Sequence, residues 1–394
     1  MGGAAGHMSH VYEDLDLTFG DLKQILRDVV DSKVELFEKI DGQNLFVTFD
    51  PDVGKIYAAR NLTDIKKGGS PAEDFMPRWE GHPAAKPFTE GFAALEQIFR
   101  RLSGDDTQKV FIRDDAGKLP FLNLEIVCSA HPNLIQYDKN FLVFHSLDTG
   151  DAESFSLLVS ALSGKRATVS GEEWEVSGPR SVKININNSK SRALDTSILK
   201  IDELGMSDSS TIADYATEKL RANIVSEIPV TTIKQESIIN LVLGKPAMHT
   251  IASLKKDESQ VVQKIISSLC TQENARKARS VVLRPIENII TDLSAVILDG
   301  EPSTLVDDHA RVISQLKQDV IDSIAQLKKL ADAGDLATEK LLDKQMPKLR
   351  TADNINTSME GVVFKHPASE TTYKMTGTFA MANQIVGHAR RSGV

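Results

Sequence analysis

Cysteine is scarce in this sequence: 394 residues contain two, Cys128 and Cys270, each in an apolar setting. That excludes a disulfide framework and a four-thiolate zinc site, and it points to a reducing compartment. Long apolar runs are also missing. No stretch approaches the roughly 20 residues that a bilayer-spanning helix needs, and no leader-like pattern opens the chain, so no membrane association is expected. Positive charge is in deficit. With 46 Lys and Arg against 55 Asp and Glu, the formal net charge is −9. Indiscriminate nucleic-acid binding is therefore disfavoured, because counterion release requires clustered cations at the contact surface. Small basic clusters do occur at Lys66-Lys67, Arg100-Arg101, Lys190 with Arg192, Arg276-Lys277 with Arg279, and Arg390-Arg391, each read first as a solvated face.

What is present is the composition of a globular protein, 41% hydrophobic and 26% charged, long enough for two or three domains. Residues 1–7 read as an expression scar, with Met8 the expected native start. A helical pattern begins at Thr18, where Phe19, Leu22, Ile25, Leu26 and Val29 recur at three- and four-residue spacing and Thr18 or Asp21 can cap it. Short apolar runs then alternate with turns: Leu45 to Phe49, Ile56 to Ala59, Val110 to Ile112, Phe121 to Val127 and Phe141 to Phe144, interrupted by a helix through Phe92, Leu95, Ile98, Phe99 and Leu102. This is an α+β layout with an antiparallel sheet. Residues 155 to 187 still suggest strands. From 208 to 349 the pattern is helical, with stripes wide enough to need packing partners, and the last segment returns to strands.

One stretch organises the rest: Glu38-Lys39-Ile40-Asp41-Gly42-Gln43-Asn44, between the apolar runs Val34–Phe37 and Leu45–Phe49. Its spacing predicts a tight turn between two buried strands, and on these residues alone an ordinary surface hairpin fits as well. Distant stretches change that reading. They are Arg60 in Tyr57-Ala58-Ala59-Arg60-Asn61, Glu125 in Phe121-Leu122-Asn123-Leu124-Glu125-Ile126-Val127, Glu360-Gly361-Val362-Val363-Phe364-Lys365, and Tyr373-Lys374-Met375-Thr376-Gly377. Together and in this order they resemble the motif set of the covalent nucleotidyltransferases, the superfamily of polynucleotide ligases and mRNA capping enzymes.

The resemblance implies an antiparallel-sheet, ATP-grasp-like nucleotidyltransferase domain in two parts, residues 8–207 and 350–394, separated by a large all-α insertion, 208–349, protruding as its own body. It implies Lys39 as the nucleophile on a nucleotide α-phosphate, with Asp41, Lys365 and Lys374 completing the catalytic set. Glu38, Arg60, Glu125, Phe144, Lys365 and Lys374 would bind the nucleotide, Glu125 at the ribose and Phe144 stacked on the base. Glu360 and Asp41 would hold Mg2+, with Mn2+ as an alternative ion. The implied activity is ATP-dependent joining of nucleic-acid ends through a lysyl-AMP. GTP-using capping chemistry, or a weakened fold serving as an end-binding or assembly factor, are the alternatives.

Asn44 stands where DNA ligases usually carry arginine and one RNA-ligase branch carries asparagine, which favours RNA. Thr376 replaces the second lysine of the last motif. The chain has no room after Gly377 for the OB-fold domain that follows this motif in DNA ligases, leaving the helical insertion to bind nucleic acid or a protein partner. The similarity is to phage proteins of the RNA-ligase-like branch, which implies a cytoplasmic setting in a bacterial host.

Overall fold

A computed structural model describes residues 8–102, 110–149, 151–227, 282–349, 354–367, 369 and 371–392. The helical stretches expected around Ile238 to Val242 and Val261 to Leu269, Cys270 and the Arg276–Arg279 cluster lie outside the described residues. The fold is mixed α and β, and its two sheets are rich in antiparallel pairs.

The first sheet contains Ser9–His10 (β1), Leu36–Lys39 (β2), Ser181–Val182 (β10), Gly361–Lys365 (β11) and Thr372–Met375 (β12), in the order β1-β12-β11-β2-β10. The second contains Gln43–Asp50 (β3), Lys55–Ala59 (β4), Ser70–Pro71 (β5), Leu122–Val127 (β6), Asn140–Leu147 (β7), Arg166–Val169 (β8) and Glu172–Ser177 (β9), in the order β5-β4-β3-β6-β7-β9-β8. Among the described residues, only the β1–β12 and β7–β9 pairs are parallel.

The expected turn around Lys39 is therefore not a hairpin. β2 and β3 lie in different sheets, and Ile40-Asp41-Gly42 carries the chain from one to the other. Two apolar runs separated by a short polar link give the same local signal whether they pair or diverge, because the pairing partners are distant in sequence. β2 pairs instead with β11, Lys39 opposite Gly361 and Glu38 opposite Val362.

The helix Phe19–Val30 starts at Thr18 as its periodicity requires. The Thr18 hydroxyl accepts from the Asp21 N–H at 3.0 Å, and the Asp21 carboxylate accepts from the Thr18 N–H at 3.1 Å. Its apolar face packs with the helices Asn188–Asp202 and Arg284–Leu298 under the first sheet, in one core that includes Leu22, Ile201, Ile290, Val362 and Tyr373. One face of the second sheet is covered by the helices Ala85–Phe99 and Ala152–Leu162 around the fully buried Trp174. A third core joins Ile40, Tyr137, Phe141 and Val143 to the helices His309–Asp332, Leu336–Leu349 and Phe379–Arg391.

Several expectations change here. Residues 284–349 do not protrude as a separate body: Arg284–Leu298 belongs to the first core, and the next two helices pack over the junction between the sheets. Wide apolar stripes show that a helix needs a partner without saying which, and here the sheets supply it. Ala152–Leu162 is a helix where strands were expected, started by Asp151, whose carboxylate accepts from the Glu153 and Ser154 N–H groups. Helical structure resumes at Asn188, before residue 208. The final segment ends in a helix, Phe379–Arg391, whose Phe379, Ala382, Ile385, Val386 and Ala389 are buried at helical spacing. Val110 and Phe111 enter the core without forming the expected strand, with Ile112 exposed. Lys190, expected on a solvated face, is buried and paired with Glu301. Among the described residues, no helix is long and apolar enough to cross a membrane.

Gly361 sets how closely β11 and its neighbours approach. A Cβ there would stand 2.3 Å from the Met375 carbonyl oxygen, a backbone atom that cannot move aside without parting β11 from β12. Gly361→Ala should therefore cost about 1–3 kcal/mol of stability and displace the adjoining Glu360. A denaturant titration giving the wild-type midpoint would show that the approach is not tight.

Candidate active site

Between the two sheets lies a cleft of about 730 Å³, lined by Phe37 and Lys39 of β2, Asn44 and Phe46 of β3, Asn123 and Glu125 of β6, His145 of β7, and Glu360, Lys365 and Lys374 from the end of the chain. Five residues that the sequence grouped, Lys39, Glu125, Glu360, Lys365 and Lys374, thus border one space. The β2–β11 register accounts for the closest pair. Because Lys39 faces Gly361, the preceding residue reaches its amine, and Lys39 Nζ stands 2.6 Å from Glu360 Oε1 with both side chains largely buried. Gly42 lets the link between the sheets pass close to β6, since a Cβ there would come within 3.0 Å of the Ile126 carbonyl oxygen and 3.1 Å of Glu125 Cβ.

Electrostatically, the cleft is a cluster of buried carboxylates around one ammonium. Burial alone would lower the pKa of Lys39, but Glu360, Glu125 and Asp41 outweigh it and hold the amine above the ordinary lysine value. Burial raises the Glu125 carboxyl to about 8 against the pull of Lys39, and raises Glu360 to about 7 against the same pull. In its resting state the amine is therefore a protonated ion-pair partner and not a nucleophile.

Three expected site residues, Phe144, Asp41 and Arg60, do not line the cleft, and a fourth, Glu38, lines it with its carboxylate engaged by other residues. Phe144 is fully buried in the core beneath the second sheet and cannot stack on a base in the cleft. The residue that faces the cleft is its neighbour His145, whose Nε2 lies 4.0 Å from Glu125 Oε2 and is buried without a hydrogen-bond partner among the described residues. Burial, and secondarily the Lys39 charge, lowers the His145 pKa to about 4, so its imidazole is neutral at pH 7. Strand alternation carries the signal: Glu125 is paired with Val143, and a shift of one residue reverses the face, so 145 and not 144 shares the side of Glu125.

Asp41 is buried with its carboxylate accepting the N–H groups of Leu134 at 2.7 Å and Ile135 at 2.8 Å, while its own N–H donates to the Tyr137 hydroxyl. It fastens the 133–137 loop, which removes it as a metal ligand and as a group touching substrate. Glu38, on the opposite face of β2 from Lys39, accepts from the Ser303 hydroxyl and from the N–H and hydroxyl of Thr304, the latter two at 2.6 Å. Glu38 thus borders the cleft as expected, but its carboxylate is taken up in holding the chain before the helix His309–Asp332. Arg60 does not border the cleft. Its guanidinium lies 5.3 Å from the ring centroids of both Trp79 and Phe88, and its pKa is lowered by burial against the attraction of Glu125.

For a divalent ion the fit is partial. Among the described residues, no group of three or more His, Cys, Asp or Glu is arranged to hold one. Glu360, with Glu125 nearby, suits Mg2+ bound chiefly through the phosphate oxygens of a nucleotide. Comparison of the chain with protein-family models, with curated proteins and with solved structures gives no match.

The carboxylates also set a pH dependence. Glu125 and Glu360 keep protons in the folded state that the unfolded chain, with carboxyl pKa near 4.5, has already released. The folded state then binds more protons, and stability falls as pH rises through the window ending near 7 for Glu360 and 8 for Glu125. His145 contributes with the opposite sign, but only below its ordinary value of 6.5. Between about pH 6.5 and 8, Glu125→Gln should therefore lose less melting temperature than the wild type. An equally steep fall in both would show that Glu125 is not held protonated.

Proposed function

We propose that the protein is an ATP-dependent nucleic-acid ligase, with RNA ends preferred, acting through a covalent lysyl-AMP on Lys39. The observation that carries this reading is the convergence on one cleft of a buried lysine, two buried carboxylates and two further lysines drawn from opposite ends of the chain. Phosphoryl and nucleotidyl transfer depend mostly on positioning and charge stabilisation, and this set supplies both.

The Lys39 amine gives up a proton to become nucleophilic, and Glu360, in contact with it and raised to about 7, is placed to accept it. Nζ then bonds to the α-phosphorus, the bond from that phosphorus to the bridging oxygen breaks, and pyrophosphate leaves with the electron pair. The second amine proton passes to solvent as the phosphoramidate forms. Lys365 and Lys374, on neighbouring strands, stabilise the charge that builds on the phosphates. A divalent ion bound to the triphosphate would supply further charge neutralisation. In the later steps a 5′-phosphate oxygen displaces Lys39, which takes up two protons to return to the ammonium, and a 3′-hydroxyl displaces AMP and releases its own proton to solvent. Neutral His145 and the aromatic ring of Phe37 provide flat surfaces for a base, and Asn44, which donates to Asn123 Oδ1 at 2.7 Å, fixes the polar edge of the same wall.

Incubation with α-labelled ATP and Mg2+, followed by denaturation, should leave an acid-labile label on the wild type and none on Lys39→Ala. Absence of label on the wild type overturns the proposal. Label from GTP in place of ATP would move it to capping-type chemistry.

A further inference from the structure

A second cavity, of about 780 Å³, opens on the same face of the second sheet. Alternate residues of a strand share a face, so Thr48 and Asp50 continue along β3 from Asn44 and Phe46, which border the first cleft. The two spaces have Leu147 and Asp148 in common. The second therefore adjoins the first along the sheet, beyond the apolar cluster of Phe46, Ala59 and Phe121, and is floored by Thr48 and Tyr57.

The charges around it are formally balanced but unequally committed. Asp50 is paired with Arg113 at 2.6 Å, Asp114 accepts the Ala116 and Lys118 N–H groups, Asp148 accepts the Phe121 N–H at 2.7 Å, and Asp151 caps the helix Ala152–Leu162. Lys66, Lys67 and Lys118 are at the rim and form no ion pair among the described residues. Two of them are held in place by local geometry. Gly68 and Gly69, at φ +85° and +75°, turn the chain sharply after Lys67 so that β5 pairs back onto β4 beside Tyr57. Thr48, 2% exposed on the cavity wall, has a hydroxyl without a hydrogen-bond partner among the described residues.

We infer that this cavity takes a single-stranded polynucleotide segment leading out of the reaction cleft, its phosphates on Lys66, Lys67 and Lys118 and a base against Tyr57. Uncommitted ammonium groups beside a half-buried aromatic are the combination that tracks a single strand without reading its sequence. On a chain of net charge −9, such a spot also localises a polyanion next to the chemistry. The inference rests on the first cleft being a nucleotidyl-transfer site, since the two spaces adjoin along one sheet face and share Leu147 and Asp148 on their walls.

The test is fluorescence anisotropy with a short 5′-phosphorylated single-stranded RNA and a DNA of the same sequence, on full-length wild type and on the combined Lys66→Ala, Lys67→Ala, Lys118→Ala variant. Removing three phosphate contacts should weaken binding by about tenfold or more and lower the slope of log affinity against log salt by about 2. The corresponding triple arginine variant should bind as the wild type does, and Tyr57→Ala should weaken binding with the salt slope unchanged. Binding of either strand by the wild type supports the inference, and preference for RNA identifies contacts to the 2′-hydroxyl. Failure of the wild type to bind either strand overturns it, as does an alanine variant with unchanged affinity and slope. Label transfer to Lys39, read separately, keeps the two conclusions apart: strand binding lost in the alanine variant without any wild-type label retains the groove and removes the covalent chemistry, whereas label with unchanged strand binding does the reverse.

Discussion

The pairing of β2 with β11 is the constraint on which the rest depends. It brings Glu360 to Lys39 across a 2.6 Å ion pair and so joins the beginning of the chain to its end at one buried point. A lone ammonium or carboxylate at that depth would be costly, and removing either partner leaves the other charge uncompensated. The same strand works on both faces. Lys39 turns toward the cleft while Glu38 turns away and gathers three hydrogen bonds from Ser303 and Thr304, so the register that forms the ion pair also seats the chain leading to the helices.

Separation of β2 and β3 into two sheets creates the cleft itself. Three residues make the passage, and each does something different there. Ile40 enters the third core, Asp41 fastens the loop before β7, and Gly42 leaves space against β6. A hairpin at this place would have put Lys39 at an exposed edge. The divergent strands instead give it carboxylates on both sides, and those carboxylates decide its protonation. Within the cleft, Glu125 Oε2 and His145 Nε2 are buried without hydrogen-bond partners among the described residues. Folded proteins seldom tolerate such groups away from binding sites, because each costs stability.

The helices confine the cleft from behind. Arg284–Leu298 backs the first sheet, Ala85–Phe99 backs the second, and the bundle ending in Phe379–Arg391 covers the junction. The strands that border the cleft are thereby backed by helices, while Lys39, Glu125 and Glu360 line the space between the sheets. The face of the second sheet continues past the cleft to the adjoining cavity rimmed by Lys66, Lys67 and Lys118.

By itself, the sequence determined what depends on neighbours a few residues apart: the capped helix after Thr18 and the strands through Leu45, Ile56, Leu124 and Leu142; the lysines and glutamates that reach one cleft are grouped by the order of their motifs, not by local pattern. Periodicity and capping are local, so they can be read along the chain. Tertiary structure alone decided what depends on partners far away. It paired β2 with β11 and not with β3, folded residues 284–349 against the sheets, and tied Glu38 and Asp41 into the frame. It also turned His145 and not Phe144 toward the cleft. The two candidates in that last case differ by one position on a strand, and the alternation of side chains makes that position choose between core and site only after the strand's neighbours are known.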